Sequence, residues 1–446
     1  MKRFLLLACV ASIFSPLAHA AESIPSSFVI AGSGYGHGVG LSQIGAKAQA
    51  LAGKSATEIL TYYFPGTQVN SVDDSGLIRV NIGHQLASAT LGMDKTFPTA
   101  AIQIIKGDAV QGVPLAFTDA PSIGRYALGS TYKFSVVGKN VHVVVSGTGN
   151  PKIAADSNLF TLRWSGTDSL DPAAQGAVVL NTGTSSSRLR YGQIQVRAVP
   201  ITKVGYRLEI TNAMRVQDEY LYGISEVPSS WPKAALQAQV IASRTYAISR
   251  MGKIKKDCDC QIYNSKYDQA YIGYAKETEA KYGKLWKAAV DATVSDSTHA
   301  QIITYKNKPI NVYFFSSSGG QTQRSEDVWG TKFPYLVNVA DPWSLDPNIN
   351  PHYALWTRTI SQSAMAAAFG LPDVARYEVA TRSVANAVLS VFGIASDGTT
   401  KMLSVSEFKV ALKLPSSWFD IPLVVLPTPS PTPTISDAPT PTPSAS

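Results

Sequence analysis

The stretch Tyr220–Arg250, YLYGISEVPSSWPKAALQAQVIASRTYAISR, decides how the rest of the chain is read. Its second half is a helix with a marked start. Ser229, Ser230 and Trp231 precede Pro232, and a proline in the first turn forfeits only an N–H that would have no helical partner anyway. Ala235, Leu236, Ala238, Val240, Ile241, Ala242, Tyr246 and Ala247 then spread over too much of the surface for a half-exposed helix. The spacing predicts a largely buried central helix whose small residues let other backbone approach. The first half is a loop with one carboxylate, Glu226, between Tyr222 and Trp231. A glutamate in such a place ordinarily solvates the helix start, so acid chemistry there requires burial.

Working outward, two other stretches carry chemistry-bearing residues. Towards the N-terminus, Gly32–Ala46 reads GSGYGHGVGLSQIGA, with His37 and Gln43 as its polar candidates. Its glycines suggest a phosphate loop only superficially, because neither a Walker lysine nor a βαβ unit with a ribose-binding acid follows. For His37 two readings stand: a histidine bonded to nearby backbone, or a polar contact to ligand. Beyond the central helix, Phe315–Gly320 (FSSSGG) leads through Glu326-Asp327-Val328-Trp329-Gly330 and Pro334-Tyr335-Leu336 to Asp341-Pro342-Trp343. Three serines invite a serine-hydrolase reading, but the G-x-S-x-G elbow and a suitable histidine partner are missing.

Glu226-Val227-Pro228, Ser230-Trp231-Pro232 and Ala235–Ala247 closely resemble the centre of the SpoIID/LytB family, which comprises stage II sporulation protein D and the amidase enhancer LytB. Gly36–Ala46 is similar to the family's GHGVGMSQxGA signature, and the FSSSGG-to-DPW run is similar to its third signature. The glycine signature, with GKSATEILTYYFPGTQV after it, resembles what is C-terminal in many members but stands at the N-terminus here. That order amounts to a circular permutation, which a fold with adjacent termini tolerates. The resemblance implies a secreted protein acting on peptidoglycan glycan strands. Glu226 would be the general acid of a lytic transglycosylase, with Tyr222, Trp231, Arg244, His37, Gln43, Ser316, Ser318 and Gly319 as substrate-binding residues. The alternative it leaves is a non-catalytic, wall-binding enhancer of an N-acetylmuramoyl-L-alanine amidase, which would use the same groove.

The expected fold class is α+β: a β-rich scaffold around the buried helix, with short helices and mixed strands forming a glycan groove. Gln43–Leu51 reads as a helix capped by Gly53, and Ser55-Ala56-Thr57-Glu58 as a capping box opening a second helix. From Val69 to about Met214 the period changes to two. Leu77–Ile82, Tyr132–Val136, Val141–Val145, Leu159–Trp164, Gln193–Val199 and Tyr206–Ile210 read as strands, with a hairpin at Gly138-Lys139-Asn140. The expected organisation is an export signal over 1–20, the glycine segment over 21–68, a β-rich region over 69–200, a family core over 201–345, a C-terminal piece over 346–425 and a Pro/Thr/Ser tail over 426–446.

The export reading rests on Lys2, Arg3, the apolar run Phe4–Phe14 and the small-x-small site Ala18-His19-Ala20. No later segment reaches the roughly 18 apolar residues of a membrane span. The formal charge of +8 falls to +6 without Lys2 and Arg3, which suits an anionic partner such as cell wall. No Lys/Arg run interleaved with aromatics points to nucleic acid. Cys258 and Cys260 are separated by one residue. A disulfide suits an oxidising compartment, free or intermolecular thiols remain open, and two thiolates are half a zinc site that His299 could extend. No cofactor is required by this reading.

Overall fold

The computed structural model describes residues 24–109, 122–147, 150–265 and 267–420. The expected export signal and the Pro/Thr/Ser tail lie outside the described residues. The architecture is α+β and dominated by strands.

Ser42 caps the first helix, α1 (Gln43–Leu51), its Oγ accepting the Gly45 N–H at 3.2 Å. The second, α2 (Ala56–Tyr63), opens with the full capping box: the Glu58 N–H donates to Ser55 Oγ, and the Ser55 N–H to Glu58 Oε2. The central helix, α3 (Lys233–Arg250), begins directly after Pro232, as expected. Leu236, Val240, Ile241 and Ala242 are excluded from solvent on α3, and α1 and α2 pack against it. Burial on nearly all sides follows from the alanines, which take up little space between elements.

The helix α3 packs on the strand His299–Tyr305, and most of the strands fall in two larger sheets. The larger has seven strands in the order Ile262–Tyr263, Leu77–Leu86, Gly205–Arg215, Gln193–Ile201, Leu159–Trp164, Ala101–Lys106 and Ser122–Ala127. Its pairings are antiparallel except at the edge, where Ile262 lies parallel to Val80. Every side chain of Leu159–Trp164 is buried, as expected of a strand covered on both faces. The six-stranded sheet runs Asn150–Ser157, Asn140–Gly147, Ser130–Val137, Ser88–Met93, Val178–Asn181 and Ser186–Leu189. The predicted hairpin joins two of these strands, with Gly138 at φ +60°. Phe134, Val141, Val143 and Val145 fill its inner face, giving the period of two seen in the sequence.

A second, smaller core contains Phe28, Ile30, Trp356, Phe369, Val391, Phe408 and Phe419. Its sheet places Ser27–Ser33 between Trp356–Ser361 and Trp418–Phe419, so the two ends of the described chain are neighbours. The stretch 310–315 is mostly without regular structure. Only Phe314–Phe315 pairs, in parallel with Leu41–Ser42. That partner is distant in sequence, and no local pattern announces it.

Candidate functional site around Glu226

The loop before α3 is strapped to the segment Gln269–Gly273. The Ser225 N–H donates to the Ala270 carbonyl at 2.9 Å and the Ile272 N–H to the Gly223 carbonyl at 2.8 Å. Gly223 is required for this approach, because a Cβ there would lie 2.3 Å from the Tyr271 ring. The strap presents the Ala270 N–H to Glu226 Oε1 at 2.6 Å. Burial pushes the Glu226 carboxyl above its ordinary pKa, and the single Ala270 hydrogen bond only partly opposes it. This is the direction acid chemistry demands, in a side chain that remains half-exposed.

The buried aromatic beside Glu226 is Tyr220, whose hydroxyl is pushed far up by burial and by the Glu226 charge and donates to Gln269 Oε1 at 2.6 Å. Tyr222 has other work: its hydroxyl donates to Asp291 Oδ1 at 2.6 Å and accepts from Lys287 Nζ at 3.0 Å. Trp231 is partly buried against the core, with Lys47 Nζ 5.8 Å from its ring centroid.

The three signature stretches converge. Gln43 Nε2 lies 3.4 Å from the Glu226 carbonyl and 3.2 Å from Gln239 Oε1 on α3, joining the glycine segment to the carboxylate loop. The Ile44 N–H donates to the Ser316 carbonyl at 2.9 Å, the Tyr35 N–H to Ser317 at 2.8 Å and the Gln323 N–H to Gly38 at 2.7 Å. Gly38, at φ +83°, and Gly319 both lack a side chain because the Trp418 ring lies against them; Cβ atoms there would come within 2.3 and 2.1 Å of it. Gly319 thus serves packing, a correction to its expected place in a ligand surface.

Three further expectations are corrected. Arg244 is wholly buried: its Nε is 3.1 Å from Asp74 Oδ2, and its guanidinium donates to Thr293 Oγ1 and to the Gln301 and Gln217 carbonyls. No donor face is left for a ligand. Ser318 is also buried, donating at 2.7 Å to Asp341 Oδ2 in a network with Ser344 and Tyr63. His37 accepts the Val39 N–H at Nδ1 (3.1 Å), and its other ring nitrogen bonds the Phe314 backbone. Burial, then Lys409, lowers its pKa to about 4. A neutral ring with both nitrogens on backbone has no polar atom for a sugar. Ser316 is half-exposed beside this loop.

Cys258 and Cys260 form a disulfide, so neither is a thiolate ligand. His299 bonds Asp296, and no group of three or more His, Cys, Asp or Glu side chains among the described residues is arranged to hold a metal.

Two features were open to sequence reading and missed. Gln239, Ser243, Tyr246 and Arg250 recur every three or four residues, forming a polar stripe along the helix. Gln239 Nε2 bonds Ser243 Oγ at 3.1 Å, Tyr246 donates at 2.5 Å to Asp268 Oδ1 and the Arg250 guanidinium lies 4.9 Å from the Tyr246 centroid. Trp329, 42% exposed, sits 4.5 Å from Tyr313 and 5.2 Å from His37. Its place in a resembling motif concealed that it is an exposed aromatic.

Fold and site together define an α+β protein in which burial favours the protonated form of the loop carboxyl Glu226. Residues 205–305 match the family model described as Stage II sporulation protein, in line with the resemblance to the SpoIID/LytB family. It is 31% identical over 176 residues to Stage II sporulation protein D of Bacillus subtilis strain 168, covering 36% of this chain and 49% of that protein. It is 34% identical over 157 residues to the protein of the same name from Bacillus amyloliquefaciens, covering 32% of this chain and 42% of that one. It is also 30% identical over 141 residues to the Amidase enhancer of Bacillus subtilis strain 168, covering 32% of this chain and 16% of that protein. The chain thus spans half or less of each of these relatives. No solved structure matches it significantly. Among the described residues, no helix is long and apolar enough to cross a membrane.

Proposed function

We propose that the protein is exported, binds peptidoglycan glycan strands in a groove beside the converging loops, and cleaves the MurNAc–GlcNAc linkage as a lytic transglycosylase. The observation that carries this is the Glu226 carboxyl, held by the Ala270 N–H and driven towards its protonated form by burial. In the reaction the Glu226 proton passes to the glycosidic oxygen as its bond to muramic C1 breaks. The muramic 6-hydroxyl then bonds to C1 and returns its proton to Glu226. The new end is a 1,6-anhydro ring, and no water is consumed.

The state of the neighbouring carboxylate supports this route over hydrolysis. Burial pushes Asp268 up, but hydrogen bonds from Tyr246, the Tyr263 N–H and Lys255 outweigh it and hold the group below its ordinary pKa. Oδ1 accepts from Tyr246, and Oδ2 from Lys255 at 2.9 Å and the Tyr263 N–H at 2.8 Å. A carboxylate so occupied is poorly placed to activate the water that inverting glycosidases need. The likeness to the amidase enhancer favours a second reading, in which the same surface binds wall and stimulates an amidase without turnover. Mass spectrometry of purified glycan strands, with and without stem peptides, decides between them. Anhydro ends that disappear in Glu226→Gln establish the enzyme; their absence with wild-type protein establishes the binding reading.

A further inference from the structure

Trp329 is the one exposed tryptophan among the described residues, and its surroundings hold it in a fixed place. The short helix Ser325–Trp329 starts where the Gln323 N–H donates to the Gly38 carbonyl at 2.7 Å and the Gln323 side-chain amide to the His37 carbonyl at 3.1 Å. Arg324 grips Asp327 with two donors, at 2.9 and 2.7 Å, and Gly330 ends the helix in the left-handed region at φ +74°. The indole rests on Tyr313, with 4.5 Å between ring centroids, and on His37 at 5.2 Å. A run of contacts leads from this ring to the acid. The Arg250 guanidinium hydrogen-bonds Tyr313 and lies 4.9 Å from the centroid of Tyr246, one turn back along α3. The Tyr246 hydroxyl donates to Asp268 Oδ1, two residues before Ala270, whose N–H holds Glu226. Exposure increases outward, from buried Tyr246 through half-buried Arg250 and Tyr313 to Trp329.

We propose that Trp329, with Tyr313 and Arg250 beside it, is a subsite for a pyranose ring of the glycan strand, away from the bond that is cleaved; this rests on the peptidoglycan reading of the Glu226 site. A pyranose has an apolar face of C–H groups and an edge of hydroxyl and acetamido oxygens. The exposed indole suits the face. The edge needs donors, and the planar Arg250 guanidinium supplies several in a fixed geometry. A protein partner is the poorer fit, because docking of that kind uses a contiguous apolar patch. The exposed residues that follow Trp329 are Gly330, Thr331 and Lys332, and Arg324 and Asp327 form an ion pair in the turn before it. The ring is thus a single aromatic surface in polar surroundings. Its links to Gly38, His37 and α3 fix it before any ligand arrives, so little side-chain freedom is lost on binding.

Calorimetric titration of the full chain tests this with chitohexaose and with purified glycan strands, in a Glu226→Gln background so that no ligand is consumed. Trp329→Ala should weaken both by roughly tenfold, the effect of truncating an aromatic anchor. Trp329→Phe, which keeps an aromatic face, should recover most of the loss. Because the side chain is exposed, both variants should melt within about 2 °C of their parent, which separates lost binding from lost fold. Undiminished affinity in a folded Trp329→Ala overturns the proposal, as does an equal loss in Trp329→Ala and Trp329→Phe. So does the absence of any binding by the parent at millimolar sugar. A Trp329→Ala variant that keeps its glycan affinity but no longer stimulates a cell-wall amidase would make the ring a protein contact instead. Turnover scores the Glu226 reading separately. Strands that bind through Trp329 but are not cleaved by wild type sink the transglycosylase and leave the subsite standing; strands cleaved with the same KM by Trp329→Ala do the reverse.

Discussion

Replacing Arg244 by methionine tests whether that side chain holds the fold or holds a ligand. In the wild type, Arg244 and Asp74 are both fully buried and 3.1 Å apart. Burial lowers the arginine to about 10 against Asp74's pull, and raises Asp74 to about 6 against the pull of Arg244. Each partner therefore depends on the other to remain charged. Removing one partner of a buried pair typically costs about 3–5 kcal/mol, because the remaining charge is uncompensated. Three more acceptors, Thr293 Oγ1 and the Gln301 and Gln217 carbonyls, lose their donor as well. At about 2–4 °C per kcal/mol for a large domain, the melting temperature at pH 8 should fall by roughly 6–20 °C.

The pH dependence follows from Asp74. Its folded pKa is raised, so the stability it contributes is fully present below the unfolded value and is lost as pH rises through about 6. Without Arg244 the folded value rises further, and Asp74 must either hold a proton or bury a bare charge. The deficit of Arg244→Met against wild type should accordingly be small at pH 5 and grow towards pH 8. Asp74→Asn added to Arg244→Met should recover part of it at pH 8. Melts followed by circular dichroism at the two pH values measure all of this. A variant that melts within about 2 °C of wild type at pH 8 yet loses glycan binding would refute the reasoning and return Arg244 to the ligand surface.

Glu226→Gln keeps the shape of the acid but has no proton to give. General acid catalysis is worth about 10² to 10⁴ in rate, so anhydro-product release should fall by that range, while Glu326→Gln retains turnover. The folded pKa of Glu226 is raised, so its ionised form weakens the fold as pH increases through that value; Glu226→Gln should melt at or slightly above wild type at pH 8. Wild-type activity should fall on the alkaline side as Glu226 loses its proton, which a pH–rate profile records. Cys258→Ser with Cys260→Ser should leave the fold intact, since so short a loop restricts the unfolded chain by only about 1–2 kcal/mol; a larger drop in melting temperature, or stoichiometric zinc in the purified protein, contradicts this. Gly319→Ala forces a Cβ to within 2.1 Å of the Trp418 ring and should cost about 1–3 kcal/mol by overpacking; unchanged melting would show that Trp418 moves freely.

What could be read from the sequence was what local physics determines. Ser55 and Glu58 announce the start of α2 because the capping box is complete within four residues. The hairpin at Gly138 and the alternating valines of Asn140–Gly147 were legible for the same reason. Glu226 was identifiable from its motif, and the need for burial was deducible, but the aromatics that flank it in sequence are Tyr222 and Trp231. The neighbour is Tyr220, because Tyr222 turns to Asp291 and Lys287, residues more than sixty positions later. Arg244 failed likewise: an arginine on a helix reads as available until Asp74 is placed beside it. Roles set by a partner far along the chain have no local signature, and those were the roles misjudged.

Partners far along the chain also bring the signatures together although they stand far apart in sequence. Trp418, near the end of the described chain, lies against Gly38 of the glycine segment and Gly319 of the serine loop, and its indole N–H is held by the Ala385 carbonyl at 2.9 Å. Ser33 pairs with Trp418, and the Asp420 N–H donates to the Ala31 carbonyl at 2.9 Å. The two described ends are thus joined by strand pairing instead of by a peptide bond. A fold whose ends already meet loses few contacts when a terminal segment changes its place in the sequence, which supports reading the N-terminal glycine signature as a permuted one. Loop contacts such as Gln43 to Glu226 and Gln323 to Gly38 are through-space, so they depend on where the segments sit and not on which is made first. The position of Glu226 is set from two directions, by the strap through Ala270 and by the glycine segment through Gln43, and neither lies next to it in sequence.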